Sequence, residues 1–162
     1  MDDLEEPILE LRKLLATGQL DAALELSHLL CERDPKNSVV NYLAACARDA
    51  QGLEEEAVRF YEEAIEIGLE GEDLRGALLG LGSTCRNVGR IRQSYRTLRR
   101  GLELFPDGTE FRAFLGLALY TAGKHKESVS LFLQLIAETT ADPHLQRYQR
   151  ALLHYASDPD AK

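Results

Sequence analysis

Apolar residues recur along this chain at steps of three and four. Val58, Tyr61, Ala64, Ile65 and Leu69 form one such stripe, and Phe111, Phe114, Leu115, Ala118 and Leu119 form another. Val129, Phe132, Leu133 and Ile136 form a third. That spacing places apolar side chains on one face of a helix. No strand-like alternation persists long enough to compete, so the predicted fold class is all-α. The stripes are punctuated by glycines at 18, 52, 89 and 123, at intervals of 34, 37 and 34 residues. Five positions after each glycine stands a small residue: Ala23, Ala57, Ser94 and Ser128. Self-similarity at this period is what a stack of helical hairpins requires.

The period divides a single domain, 1–162, into four helix–turn–helix segments at about 4–37, 38–70, 75–108 and 109–142. In each, the glycine is expected to close the first helix, where a left-handed residue costs glycine least. The small residue then begins the close contact between the two helices of the hairpin. Pro35 and Pro106 follow the second helix at matching positions, where it could not continue. The three extra residues of the long interval fall in the polar, glycine-rich stretch Gly68–Asp73, which predicts a loop. Asp142-Pro143 then has the form of a helix N-cap followed by proline at the first helical position. It opens a closing helix over about 143–156. Leu145, Tyr148, Leu152 and Tyr155 share one face of that helix and are expected to cover the apolar end of the stack. The tail Ser157–Lys162 is expected to fray.

Composition narrows the function classes. A net charge of −8 over 162 residues argues against a general nucleic-acid binder, which needs a basic surface to neutralise phosphates. No apolar run approaches the roughly 18–20 residues that span a bilayer, and the opening MDDLEEPILE is acidic where a secretory signal carries positive charge. Three unpaired cysteines at scattered positions, Cys31, Cys46 and Cys85, argue against a disulfide framework or zinc ribbon. A cytoplasmic location is the expectation.

The charge is unevenly placed. Nine acidic residues stand between Leu53 and Leu74 against Arg59 alone, and six arginines with no acid run from Arg86 to Arg100. No aromatics interleave with the arginines as base stacking would need. They are expected to lie solvated on the convex face, or to meet the glutamate-rich face of a neighbouring repeat or of a second copy.

Leu81-Gly82, Leu115-Gly116, the four glycines, Ala23, Ala57, Tyr61, Ala64, Phe132, Pro35 and Pro106 resemble the pattern of the tetratricopeptide repeat (TPR) family. The resemblance covers nearly the whole chain. Pro7, Glu10, Gly68, Ser94, Gly101 and Ser128 depart from the pattern. From Gly68 onward the sequence is most similar to a small, largely uncharacterised bacterial TPR family. The resemblance implies a right-handed α-solenoid of four hairpins plus a C-terminal capping helix. It also implies a concave groove lined by the first helix of each hairpin.

Carried onto this sequence, the groove positions of the family include Tyr42, Leu79, Arg86, Asn87, Leu117 and Tyr120. Aromatic residues there would supply burial, and Arg86 would offer a planar fork to a carboxylate. The expected function is a non-enzymatic interaction module that binds an unidentified protein or peptide. Self-association through terminal or charged faces is the alternative. The Lys/Asn pattern with which some family members clamp chaperone tails is absent at Ile8, Arg12, Tyr42 and Cys46.

Nothing in the sequence points to chemistry. His28, His125, His144 and His154 have no metal-ligand spacing. The glutamate cluster lacks the Asp/Asn/Gly spacing of a calcium loop. No glycine-rich phosphate loop is present. No cofactor, metal or catalytic residue is therefore expected.

Overall fold

The computed structural model describes residues 4–161. Helices are α1 (Glu5–Ala16), α2 (Leu20–Arg33), α3 (Ser38–Ala50), α4 (Glu54–Ile67), α5 (Gly71–Asn87), α6 (Ile91–Leu104), α7 (Thr109–Thr121), α8 (His125–Thr139), α9 (Pro143–Gln146) and α10 (Gln149–Ser157). The first eight pair into four hairpins, stacked as a right-handed α-solenoid.

The turn glycines do the work their spacing implies. Gly18, Gly52, Gly89 and Gly123 all have φ between 71° and 80°, the left-handed region that a side chain disfavours. The residue after each glycine donates its N–H five residues back, as in Gln19 to Leu14 at 2.9 Å and Leu53 to Arg48 at 2.8 Å. This bond satisfies a carbonyl that the ending helix would otherwise leave orphaned. Ala23, Ala57, Ser94 and Ser128 are all buried where the two helices meet. Ser128 further donates to the carbonyl of Gly116 at 2.8 Å across the last hairpin.

The core is a chain of three clusters set between successive repeats. The first joins Leu11, Leu14 and Leu30 to Val40 and Leu43, and the second joins Ala45, Val58 and Tyr61 to Ala77 and Leu81. The third packs Leu78 and Leu98 on Phe111, Leu115 and Leu119. Phe105 stacks on Phe111 with ring centroids 6.2 Å apart.

Four sequence expectations are corrected. Gly68–Asp73 is not all loop. Only 68–70 lie outside helices, and the extra residues are absorbed into α5, which has 17 residues where α3 and α7 have 13. Glu72 and Asp73 fall in its first turn, where the positive end of the helix dipole favours acids. The closing helix is not continuous over 143–156 either. Asp142 does cap it, through His144 N at 2.7 Å and Leu145 N at 3.4 Å, but it breaks at Arg147-Tyr148. Gln146 and Gln149 donate to the carbonyls of Thr140 and Ala137, which ties the segment to the end of α8. The chain then turns so that α10 lies along α8.

The third correction concerns which face α10 buries. Ala156 is buried and Leu152 half-buried, whereas Leu145, Tyr155 and above all Tyr148 (65 % exposed) face outward. The tail is also held. Lys126 pairs with Asp158 at 2.8 Å and with Asp160 at 2.9 Å. Lys162 lies outside the described residues. Among the described residues, no helix is long and apolar enough to cross a membrane.

Candidate functional site: the inner surface of the first helices

The first helices of the hairpins pack on one another, α1 on α3, α3 on α5 and α5 on α7, while the second helices approach each other far less closely. The inner layer is therefore the tighter one and forms the concave side. Because the repeats stay in register, equivalent positions form rows across it. One row is Leu15, Asp49, Arg86 and Tyr120, and another is Arg12, Cys46, Ser83 and Leu117. Leu79 aligns with Tyr42 and Ala113, and Asn87 with Ala50 and Thr121.

The two ends of these rows differ. At the α1–α3–α5 end the surface is knit together. Arg12 on α1 reaches past α3 to grip Asp73 on α5 through two hydrogen bonds, at 2.6 and 3.0 Å. The Arg12 guanidinium is held above its ordinary range, first by the hydrogen bond to Asp73. Tyr42 lies half-buried beneath this bridge. Its phenol packs onto Gly76 and its ring lies 6.3 Å from that of Tyr61. Burial pushes both phenols well above their ordinary range. Cys46 is also pushed up by burial. Tyr42 is thus a packing residue between α3 and α5 rather than an exposed anchor.

The α5–α7 end is open. Tyr120 is 62 % exposed and its ring lies 4.9 Å from that of His125, while Leu117 is 39 % exposed. In the same rows, Arg86 donates to Asn87 Oδ1 at 3.1 Å, and its Nε is buried with no acceptor. Asn87 is exposed and donates to Glu54 at 2.9 Å. Leu79 is half-buried and packs against the Leu78–Phe111 cluster. Of the six residues singled out from the sequence, four are therefore grouped and accessible at one end: Arg86, Asn87, Leu117 and Tyr120. Leu79 and Tyr42 are mainly structural.

Sequence reasoning missed the Arg12–Asp73 bridge. Its signal was the long 37-residue interval, which adds the turn of α5 that carries Asp73. It also missed Arg48, buried to 4 % exposure, with its guanidinium 3.9 Å over the Phe60 ring and bonded to Ser27 and to the Ala44 carbonyl. The three thiols are free, and burial pushes Cys85 up to about 11. A thiol so disfavoured as thiolate is a poor nucleophile. Among the described residues, no three His, Cys, Asp or Glu side chains converge in a way that could hold a metal ion.

Paired helices, glycine turns and an inner layer with an open end define an α-solenoid of stacked hairpins. Residues 38–158 match the tetratrico peptide repeat family, and the chain belongs to that family. Among solved structures it is similar to YrrB, a TPR protein with an unusual peptide-binding site. The TM-score is 0.74 and the identity 21 %, over 99 % of this chain and 80 % of that one. At that identity the likeness is one of fold. No curated protein matches the chain.

Proposed function

We propose that this chain is a non-enzymatic protein–protein interaction module that captures a partner segment on the α5–α7 part of its concave surface. Membership of a repeat family built to present extended surfaces supports the reading, and so does the peptide-binding site of the similarly folded YrrB. The observation that carries it is the placing of exposed Leu117 and Tyr120 on α7 beside half-buried Arg86 and exposed Asn87 on α5. An apolar side chain of the partner would be buried by Tyr120 and Leu117. A carboxylate or carbonyl would accept from Arg86, with the Asn87 amide beside it.

The test places a photo-crosslinking phenylalanine analogue at position 120, and in a second protein at Arg99 on the outer helix α6. Cross-linking to a partner is expected at 120 and not at 99. The double substitution Leu117→Ala, Tyr120→Ala should weaken capture by more than about tenfold, the scale of losing a central anchor. Equal cross-linking at the two positions, or unchanged capture by the double variant, would sink the groove assignment. Tyr42 is a poor choice for this test, since truncating it empties the packed site over Gly76.

A further inference from the structure

The third residue after each turn glycine is Asp21, Glu55, Arg92 and Lys126 in successive repeats. This position sits in the first turn of each second helix, at the junction with the next repeat. At the first junction Asp21 accepts a hydrogen bond from Gln51 at 2.7 Å. At the second, Glu55 pairs with Arg90 at 2.5 Å, with the Glu54–Asn87 bond beside it. At the outer end of the stack, Lys126 takes the two tail carboxylates of Asp158 and Asp160.

The third junction is different. Arg92 stands where the acid should be, and Lys124 stands where Arg90 stood. Two cations do not pair, and the cavity there, about 440 Å³ against about 320 Å³ beside Glu55 and Val88 at the second junction, has no carboxylate in its lining. Its floor is apolar, made by Ile91, Tyr95, Leu119 and Ala122. Arg92, Arg96 and Lys124 rim it, with Lys124 Nζ 6.0 Å from the Tyr95 ring centroid. None of these three cations makes an ion pair among the described residues.

We propose that this notch is a second docking site, which takes an acidic segment of a partner protein. A partner carboxylate would occupy the place that Asp21 and Glu55 hold at the other junctions, between Arg92 and Lys124. An adjoining apolar or aromatic side chain would lie on Leu119 and Tyr95. The occupant follows from the chain's own precedent: each of the other junctions holds a bonded carboxylate, and this one presents only the cationic half of the pair. Charge complementarity and an apolar floor together select an acidic segment with an embedded apolar residue over a purely acidic one. The notch lies between α6 and the end of α7, apart from the Arg86–Tyr120 surface.

The test is a titration of the full-length, isotope-labelled chain, followed by amide NMR shifts. The probe is the capped peptide Glu-Leu-Glu-Phe-Glu, and the control is its Lys-Leu-Lys-Phe-Lys counterpart. The acidic peptide should shift amides of 91–96, Ala122 and Lys124, and the basic one should not. Arg92→Glu should weaken peptide binding at least about tenfold, because a side chain of the protein itself then occupies the anion's place. Its thermal midpoint should hold or rise, since Glu at 92 can pair with Lys124 as Glu55 does with Arg90. Lys124→Gln, which leaves the floor intact, should weaken binding in the same direction. Shifts confined to the concave surface, equal binding of both peptides, or unchanged affinity in both variants would each overturn the proposal. A concentration-dependent dimer in sedimentation that Arg92→Glu dissolves would overturn it too, in favour of a second copy as the occupant.

Discussion

Asp49 carries a carboxylate into the crowded space between α3, α4 and α5. Its Oδ2 accepts from the Thr84 hydroxyl at 3.1 Å and from the Tyr61 hydroxyl at 3.3 Å. Burial outweighs these two bonds and raises the carboxyl above its ordinary value of 3.8. For an acid whose folded value is raised, the native state binds the proton first. The favourable contribution is then fully present below 3.8 and is lost as pH rises through the folded value. Asp49→Asn removes that titration. The melting temperature of the parent, relative to this variant, should therefore climb as pH falls from neutral toward the ordinary carboxyl range. Thermal melts followed by circular dichroism across that range check it, and a flat or opposite difference would refute the assignment. Glu110 behaves in the contrary sense. Its bond to Arg75 at 2.6 Å lowers it, so its contribution is lost as pH falls through its folded value. Asp49 and Tyr42 were legible as inner-face positions only through their places in the repeat-family pattern. Their confinement was not, since it is imposed by Thr84 and Gly76 from the next repeat, and sequence period alone does not give the distance between neighbouring helices.

At the scale of the element, α5 is the unusual helix. It is longer by one turn, which carries Asp73 to Arg12, and it is rich in glycine where its neighbours are not. Gly80 is the telling position. A Cβ there would stand 2.5 Å from Tyr61 Cζ and 2.6 Å from its hydroxyl. Tyr61 is buried and bonded to Asp49, so it cannot swing aside. Alanine would gain about 1 kcal/mol of helix propensity but incur a clash costing about 1–3 kcal/mol, so Gly80→Ala should destabilise on balance. Gly76→Ala should cost less, because the atom it meets is the far end of the half-buried Tyr42 side chain. Chemical denaturation of the two variants measures this directly, and a Gly80→Ala protein as stable as the parent would contradict the packing argument. The helix was legible in outline, through the repeat period and the Leu81-Gly82 pair. Its start was not, because Gly68, Gly71 and the adjacent acids have the composition of a loop. The gain from Asp73 meeting Arg12, a residue 61 positions away, adds to the dipole's preference for acids in the extra turn.

Across the whole molecule, the stack is closed differently at its two ends. On α1, Glu6, Leu9, Glu10 and Lys13 occupy the places that Val40, Leu43, Ala44 and Ala47 fill on α3, where they are buried against the preceding repeat. The outer face of the first repeat is thus mostly polar, and the Arg12–Asp73 bridge fastens α1 directly to the third repeat. The far end has less to hold it. Within α8 only Ser128 and Ala137 are buried, and α10 buries only Ala156. In a linear stack each repeat is stabilised chiefly by its neighbours, so local opening should follow this gradient. Hydrogen exchange should find α3, α4 and α5 opening only with global unfolding. Amides of α10 should exchange through a smaller opening, with α8 between, and α1 should be better protected than α10 although both lie at ends of the stack. Lys126→Ala, which releases the tail carboxylates, should speed exchange in α10 and leave α3 unchanged. Exchange from α10 as slow as from α3, or a Lys126→Ala effect spread evenly along the chain, would mean that the solenoid unfolds as one unit and that the asymmetry of its ends has no energetic consequence.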